Sequence, residues 1–187
     1  EIFQKAQMLR SLYGYMWTWP GKKTLFMGSE FGQYNEWYYA TSLDWHLLAH
    51  SDHRGIQRWI RDLNYFYRRF SWLGYYDDEP CGFQWIDADD ANHSVFTYLR
   101  CGKDPKERIL VACNFTFIAR NHYRVGIPLD GIWEEILNSD AREYGGHGFG
   151  NWGKVYSKPI HFHGMPHSID IFLPSNSVLI FQWKSGK

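Results

Sequence analysis

The chain has 187 residues, 44% of them hydrophobic, and its twenty basic side chains balance twenty acidic ones. That is enough apolar material for a buried core, and zero net charge supplies no field drawing the chain to nucleic acid or an anionic membrane. No apolar run approaches the ~20 residues of a membrane-spanning helix, and "EIFQKAQMLR" lacks the regions of a signal peptide.

The start without Met leads us to expect a chain cut from a longer one. Ile2, Phe3, Ala6, Leu9, Leu12, Tyr13, Met16 and Trp17 recur at three- and four-residue spacing, which predicts an amphipathic helix ended by Pro20-Gly21. "TLFM" (24–27) is a continuous apolar run of the kind buried on both faces of a parallel sheet, so a strand is expected there. After a polar, aromatic-rich loop, Ile56, Trp59, Ile60, Leu63, Phe66, Tyr67 and Phe70 mark a second helix. Ser51 or Asp52 is its expected N-cap. Helix, buried strand, loop, helix is a piece of a βα-repeat architecture. It cannot close alone, because a (β/α)8 barrel takes roughly 250 residues.

Beyond Leu73 the helical period disappears, and "YYDDEPCG" reads as a linker. "FQWIDAD", "SVFTYLR", "RILVACNF", "HYRVGI", "WEEILNS", "HSIDIFL" and "SVLIFQW" are short strand-like runs separated by turn residues, which predicts an antiparallel β-sandwich of ~100 residues. The expected fold class is therefore an α/β fragment plus an all-β unit. Residues 1–76 form the last helix-strand-helix of a (β/α)8 barrel, and residues 80–187 form the sandwich. The sandwich is expected to contain its own core. The 1–76 piece should either pack on that sandwich or self-associate through its orphaned strand edge and exposed aromatics.

In parallel α/β architectures the residues just past the strands line the site. Glu30 stands there, after Gly28, and Gln33, Glu36, Trp37, Asp44 and Trp45 follow in the loop. Acceptors, an amide and flat rings are the inventory of a polyhydroxylated ligand site. The other reading is that Glu30 is a surface residue and that Trp37 and Trp45 cover a core. The 19% aromatic content suits both. Cys81, Cys101 and Cys113 form no CxxC pair, and we expect reduced thiols in a cytoplasmic protein. Gly148, Gly150 and Gly153 spell GxGxxG, but "KVYSKPIHF" after them is extended, so a flexible loop is expected rather than a nucleotide site. His161, His163 and His167 are interrupted by Gly164 and Pro166, and Asp87, Asp89 and Asp90 lack EF-hand spacing. No metal and no cofactor is expected.

"KKTLFMGSEFGQYNEW", "SLDWHLL", "GIQRWIRDLNYFYR" and "GFQWID", continued by "YRVGIP", "WEEILNSD" and "PHSIDIFLPSNSVLIF", resemble the C-terminal third of the bacterial-type glycogen (1,4-α-glucan) branching enzymes of the α-amylase superfamily. The resemblance implies a retaining transglycosylase that cuts an α-1,4-glucan and rejoins the segment to a 6-hydroxyl. Retention takes two carboxyl groups about 5 Å apart. In the family these acids follow earlier barrel strands, so no catalytic residue is expected in this chain and the chain alone should be inactive. The segment carrying Glu30, Gln33, Glu36, Trp37, Asp44 and Trp45 would wall the active-site cleft, with α-1,4-glucan as partner. Ser29 and Gly32 stand where Asn and Ala are common in the family. The alternative is a stand-alone glucan-binding or structural β module, which surface Trp residues on the sandwich would favour in its binding form. A hydrolase or debranching member of the superfamily is a third reading.

Overall fold

A computed structural model describes residues 2–186; Glu1 and Lys187, the ends of the two expected spans, lie outside the described residues. Helix α1 is Ile2–Thr18, and an irregular segment with two short 3-10 turns, Ser29–Phe31 and Trp45–Ala49, leads to α2, Ser51–Arg69. A single turn, α3, Trp72–Tyr75, precedes the strands. These are β1 Phe83–Asp87, β2 Val95–Cys101, β3 Arg108–Asn114, β4 Arg120–Ile127, β5 Ile132–Asn138, β6 Lys154–Tyr156, β7 His167–Leu173 and β8 Ser177–Lys184. Strands β1-β2-β3-β8-β5-β6 make one sheet, β4-β7 make a second, and every pairing is antiparallel. The seven strand-like runs all form strands. The eighth, β6, has only three residues and no alternation to announce it.

The expected strand at 24–27 does not form. Residues 22–26 are irregular and belong to no sheet, and Phe26 and Met27 are 62% and 52% exposed. A strand needs partners for its N–H and C=O groups, and the described residues offer this run no parallel neighbour. The N-cap also differs. His50, in extended conformation and making no side-chain cap bond, precedes the helix, while Ser51 is its first residue and Asp52 lies in the first turn. A carboxylate there favours the positive end of the helix dipole.

The large sheet is apolar on both faces. Leu99, Leu110, Ala112, Trp133, Leu179 and Phe181 point to the two-stranded sheet, where Val125, Ile169, Ile171 and Leu173 complete an inter-sheet core. Their neighbours in sequence, Tyr98, Ile109, Val111, Cys113, Val178 and Ile180, point the other way, onto α1 and α2. There they meet Tyr13, Trp17, Ile56, Trp59, Ile60 and Leu63. The expectation of a core contained within 80–187 is thus corrected: half of it is shared with the helices, because period-two alternation sends apolar side chains to both sides.

The two helices dock differently. Along α2 the predicted stripe is the buried one, with Ile56, Trp59, Ile60, Leu63 and Phe66 all buried. On α1 the buried set is mixed: Ala6, Tyr13 and Trp17 of the predicted stripe are buried, but so are Gln7, Arg10, Ser11 and Thr18, while Ile2 and Leu12 of that stripe are about half exposed. Three of these four polar groups bond sandwich backbone, and Thr18 meets the Tyr98 hydroxyl of β2. Gln7 Nε2 donates to Ser175 O at 2.8 Å, Arg10 Nε to Ser139 O at 3.0 Å, and the Ser11 hydroxyl to Asn176 O. Burial lowers the Arg10 pKa to about 10, with Asp140 and Asp52 opposing the shift. Gly55 of α2 touches the sandwich so closely that a Cβ would sit 2.2 Å from Tyr144 O.

Arg100 of β2 joins all three parts. Its guanidinium, 1% exposed, donates to Thr18 O (2.9 Å), Leu73 O (2.9 Å), Gly82 O (3.1 Å) and Asp77 Oδ1 (2.7 Å). Burial would raise the Asp77 carboxyl, but bonds from the Tyr67 hydroxyl and Arg100, with Lys23 nearby, hold it below its ordinary value. Residues 75–82, expected as a linker, are therefore fastened to the β-sheet through Asp77 and Gly82.

Candidate functional site

The segment between α1 and α2 turns at Gly28, whose φ of 86° suits a residue without a Cβ. A side chain there would also meet Gln33 Oε1 at 2.8 Å. Tyr13 donates its hydroxyl proton to Ser29 O at 2.7 Å, and burial raises the pKa of that phenol, the Ser29 bond lowering it and Glu30 adding to the rise. Phe31 is fully buried. Its carbonyl accepts from His53 Nδ1 at 2.8 Å, while His53 Nε2 meets the Tyr34 hydroxyl at 3.1 Å. The start of the loop is thus fixed to both long helices.

Its wide part is closed at the base by side chains. Gln33 accepts from Asp44 N at 2.8 Å through Oε1 and donates through Nε2 to Asn35 O at 3.0 Å. Asn35 Nδ2 donates to Asp44 Oδ2 at 2.9 Å. Gln33 and Asp44, predicted to face a ligand, are therefore committed largely to loop closure, and Asn35, which the sequence reading passed over, is the third member of that clasp. A buried-or-bonded pattern of Asn, Gln and Asp at a loop neck is a recognisable turn signal.

Beyond the clasp, Glu36, Trp37, Tyr38 and Tyr39 are exposed. Trp37 meets the exposed Phe26 edge-on at 5.5 Å, and Phe26, Ser29, Gln33, Glu36 and Trp37 line an open hollow of 320 Å³. Trp45 instead lies tilted over Phe31 at 5.0 Å, half exposed, outside this hollow. Glu30 is half-buried, makes no hydrogen bond or ion pair among the described residues, and is not among the residues of the hollow. Of the six residues proposed from sequence, three come together: Gln33, Glu36 and Trp37. An amide, a carboxylate and an indole suit hydroxyl recognition and ring stacking.

Elsewhere the glycine-rich stretch is followed by β6 and not by a helix, so nothing offers the row of N-terminal amides that cradles phosphate. His163 bonds Asp87 and accepts from Gly126 N, each at 3.3 Å. Among the described residues no group of three or more His, Cys, Asp or Glu side chains could hold a metal ion. Nor is any helix there long and apolar enough to cross a membrane.

Residues 85–184 match the family model described as "Alpha amylase, C-terminal all-beta domain". A 1,4-alpha-glucan branching enzyme GlgB of Aquifex aeolicus (strain VF5) is 52% identical over 179 residues, 96% of this chain and 28% of that protein. Its counterpart from Roseobacter denitrificans is 50% identical over 182 residues, and that from Pseudomonas syringae pv. tomato 47% over 186. These cover 97% and 100% of this chain and 25% of each relative. The chain thus spans about a quarter of the length of the curated relatives it matches. Among solved structures, an alpha-amylase from H. orenii superposes with a TM-score of 0.53 over 96% of this chain and 35% of its own, at 15% identity. That likeness is one of fold.

Proposed function

The chain belongs to the alpha-amylase C-terminal all-beta domain family, and from that premise we propose that it is the C-terminal part of a 1,4-α-glucan branching enzyme. Residues 1–76 would supply the closing segment of the (β/α)8 barrel and residues 80–187 the sandwich. The carrying observation is the likeness to branching enzymes along both parts of the chain, helices and loop included.

In this reading the stretch 24–27 becomes a strand only beside barrel neighbours, which accounts for Phe26 and Met27 standing in water. The hollow beside Trp37, with Glu36 and the clasped Gln33, walls the cleft, while Trp45 and Glu30 shape its border. Asp44 acts on the loop and not on the sugar. The catalytic acids come from outside this chain, no cofactor takes part, the substrate is α-1,4-glucan, and the enzyme works in the cytoplasm.

Exchanging this chain for the matching segment of the Aquifex relative tests the reading. The chimera is expected to branch amylose, with the iodine colour falling while reducing ends stay nearly constant. Trp37→Ala in it should lower kcat/KM about tenfold, roughly 1.4 kcal/mol. A folded chimera that only hydrolyses, or turnover by the isolated chain that Glu30→Gln abolishes, would overturn it.

A further inference from the structure

The glycine-rich loop between β5 and β6, left without a task once phosphate binding is set aside, is not slack. Its first half wraps the fully buried Asp140, whose carboxylate accepts from His147 N (3.1 Å), His147 Nδ1 (3.0 Å) and Phe149 N (3.3 Å). Its second half hangs on Asn151, 8% exposed. That side chain donates to Glu135 Oε2 (2.7 Å) and Phe172 O (3.0 Å) and accepts from Phe172 N (2.8 Å). Asn138 Nδ2 adds a bond to Phe149 O at 2.8 Å.

The residue after this anchor is Trp152. Its φ is +55°, a conformation a bulky side chain rarely adopts, and its relative exposure is 101%. A well-tethered backbone thus holds an entire indole in water. Beside it Phe149 is 57% exposed, resting on Phe172 and stacked with His147. An open cleft of 810 Å³ includes both rings together with Arg142, Glu143 and His147. None of these residues belongs to the loop around Trp37.

The mixture of groups selects the ligand. A peptide groove or a membrane face would be continuously apolar, and an anion site would not carry Glu135 and Glu143 on its wall. Two separated flat rings with a planar donor, an imidazole and acceptors match a sugar, whose C–H face stacks while its hydroxyls bond sideways. We propose that this cleft is a second glucan-binding place: Trp152 stacks against one glucosyl ring of an α-1,4-linked segment, and Arg142, Glu143 and His147 meet its hydroxyls. The choice of α-glucan rests on the branching-enzyme reading; the presence of a sugar site does not.

Calorimetric titration with maltoheptaose in a Trp37→Ala background, which removes the indole of the hollow between the two helices, tests it. Further replacement Trp152→Ala should weaken binding about tenfold, while Trp152→Tyr should recover most of it. The Trp152 indole N–H resonance should move on titration. Unchanged affinity in Trp152→Ala, or no binding at millimolar sugar with that resonance still, overturns the inference and leaves the branching reading to the chimera. Equal, Trp152-dependent binding of cellohexaose overturns the α-glucan assignment.

Discussion

Replacing Arg100 by Leu should be among the most damaging single changes in the chain. The guanidinium serves four acceptors on three segments, and Thr18, Leu73 and Gly82 around it are buried. Leucine fills part of the volume but leaves three carbonyls without donors, each costing about 1–3 kcal/mol where water cannot enter. Asp77, 13% exposed, loses its cation but can still be partly hydrated. Transfer of the leucine side chain offsets about 2 kcal/mol of the loss. The net expectation is roughly 3–5 kcal/mol, in line with breaking other buried ionic contacts. With a urea m-value of about 3 kcal/mol/M the midpoint should fall by roughly 1–1.7 M, read by Trp fluorescence. Arg100→Lys, whose ammonium cannot serve all four acceptors, should lie between. A midpoint drop under about 0.3 M for Arg100→Leu at unchanged m would refute the reasoning, since the carbonyls would then be satisfied by other means.

Asp77 gives the same junction a pH dependence. Because its folded pKa is depressed, its contribution is present above the ordinary value of 3.8 and is lost as pH falls through the folded value. The stability gap between wild type and Asp77→Asn should therefore be full at neutral pH and vanish in acid; a gap constant down to pH ~2 would contradict this. Gly55→Ala should destabilise by roughly 1–3 kcal/mol in urea melts although alanine favours a helix by about 1 kcal/mol, because its Cβ would meet backbone. Light scattering should find the chain self-associating through Phe26, Met27 and the Trp37 loop; a monodisperse monomer with residues 24–27 exchanging freely would rule that out.

The β region was legible because turn residues bracket each apolar run, and seven of its strands could be placed to within a few residues. The helix-facing side of the sheet was legible too, but went unread. "RILVACNF" and "SVLIFQW" are continuous and not alternating, the mark of strands covered on both faces. "TLFM" carries the same mark without forming a strand, since composition states a preference for burial and not the presence of a partner. The α1 stripe was read only in part, for a different reason. Ala6, Tyr13 and Trp17 are buried as expected, but beside them Gln7, Arg10 and Ser11 bond sandwich backbone, and no periodicity in sequence separates such a polar strip from a solvated one. In the candidate loop, residue types were readable, but which of them face outward was decided by the Gln33–Asn35–Asp44 clasp, a matter of three side chains choosing one another.

The two-faced sheet also bears on recombination. A crossover at residue 85, where the family match begins, would separate Tyr98, Ile109, Val111, Val178 and Ile180 from the Trp17, Trp59 and Leu63 they interlock with. Chimeras of relatives cut there inherit mismatched halves of one packing layer, whereas a cut ahead of α1 moves both halves together. Shuffling libraries built on this family should therefore yield folded progeny according to how well that layer is conserved between parents, and little according to the identity of the inter-sheet core.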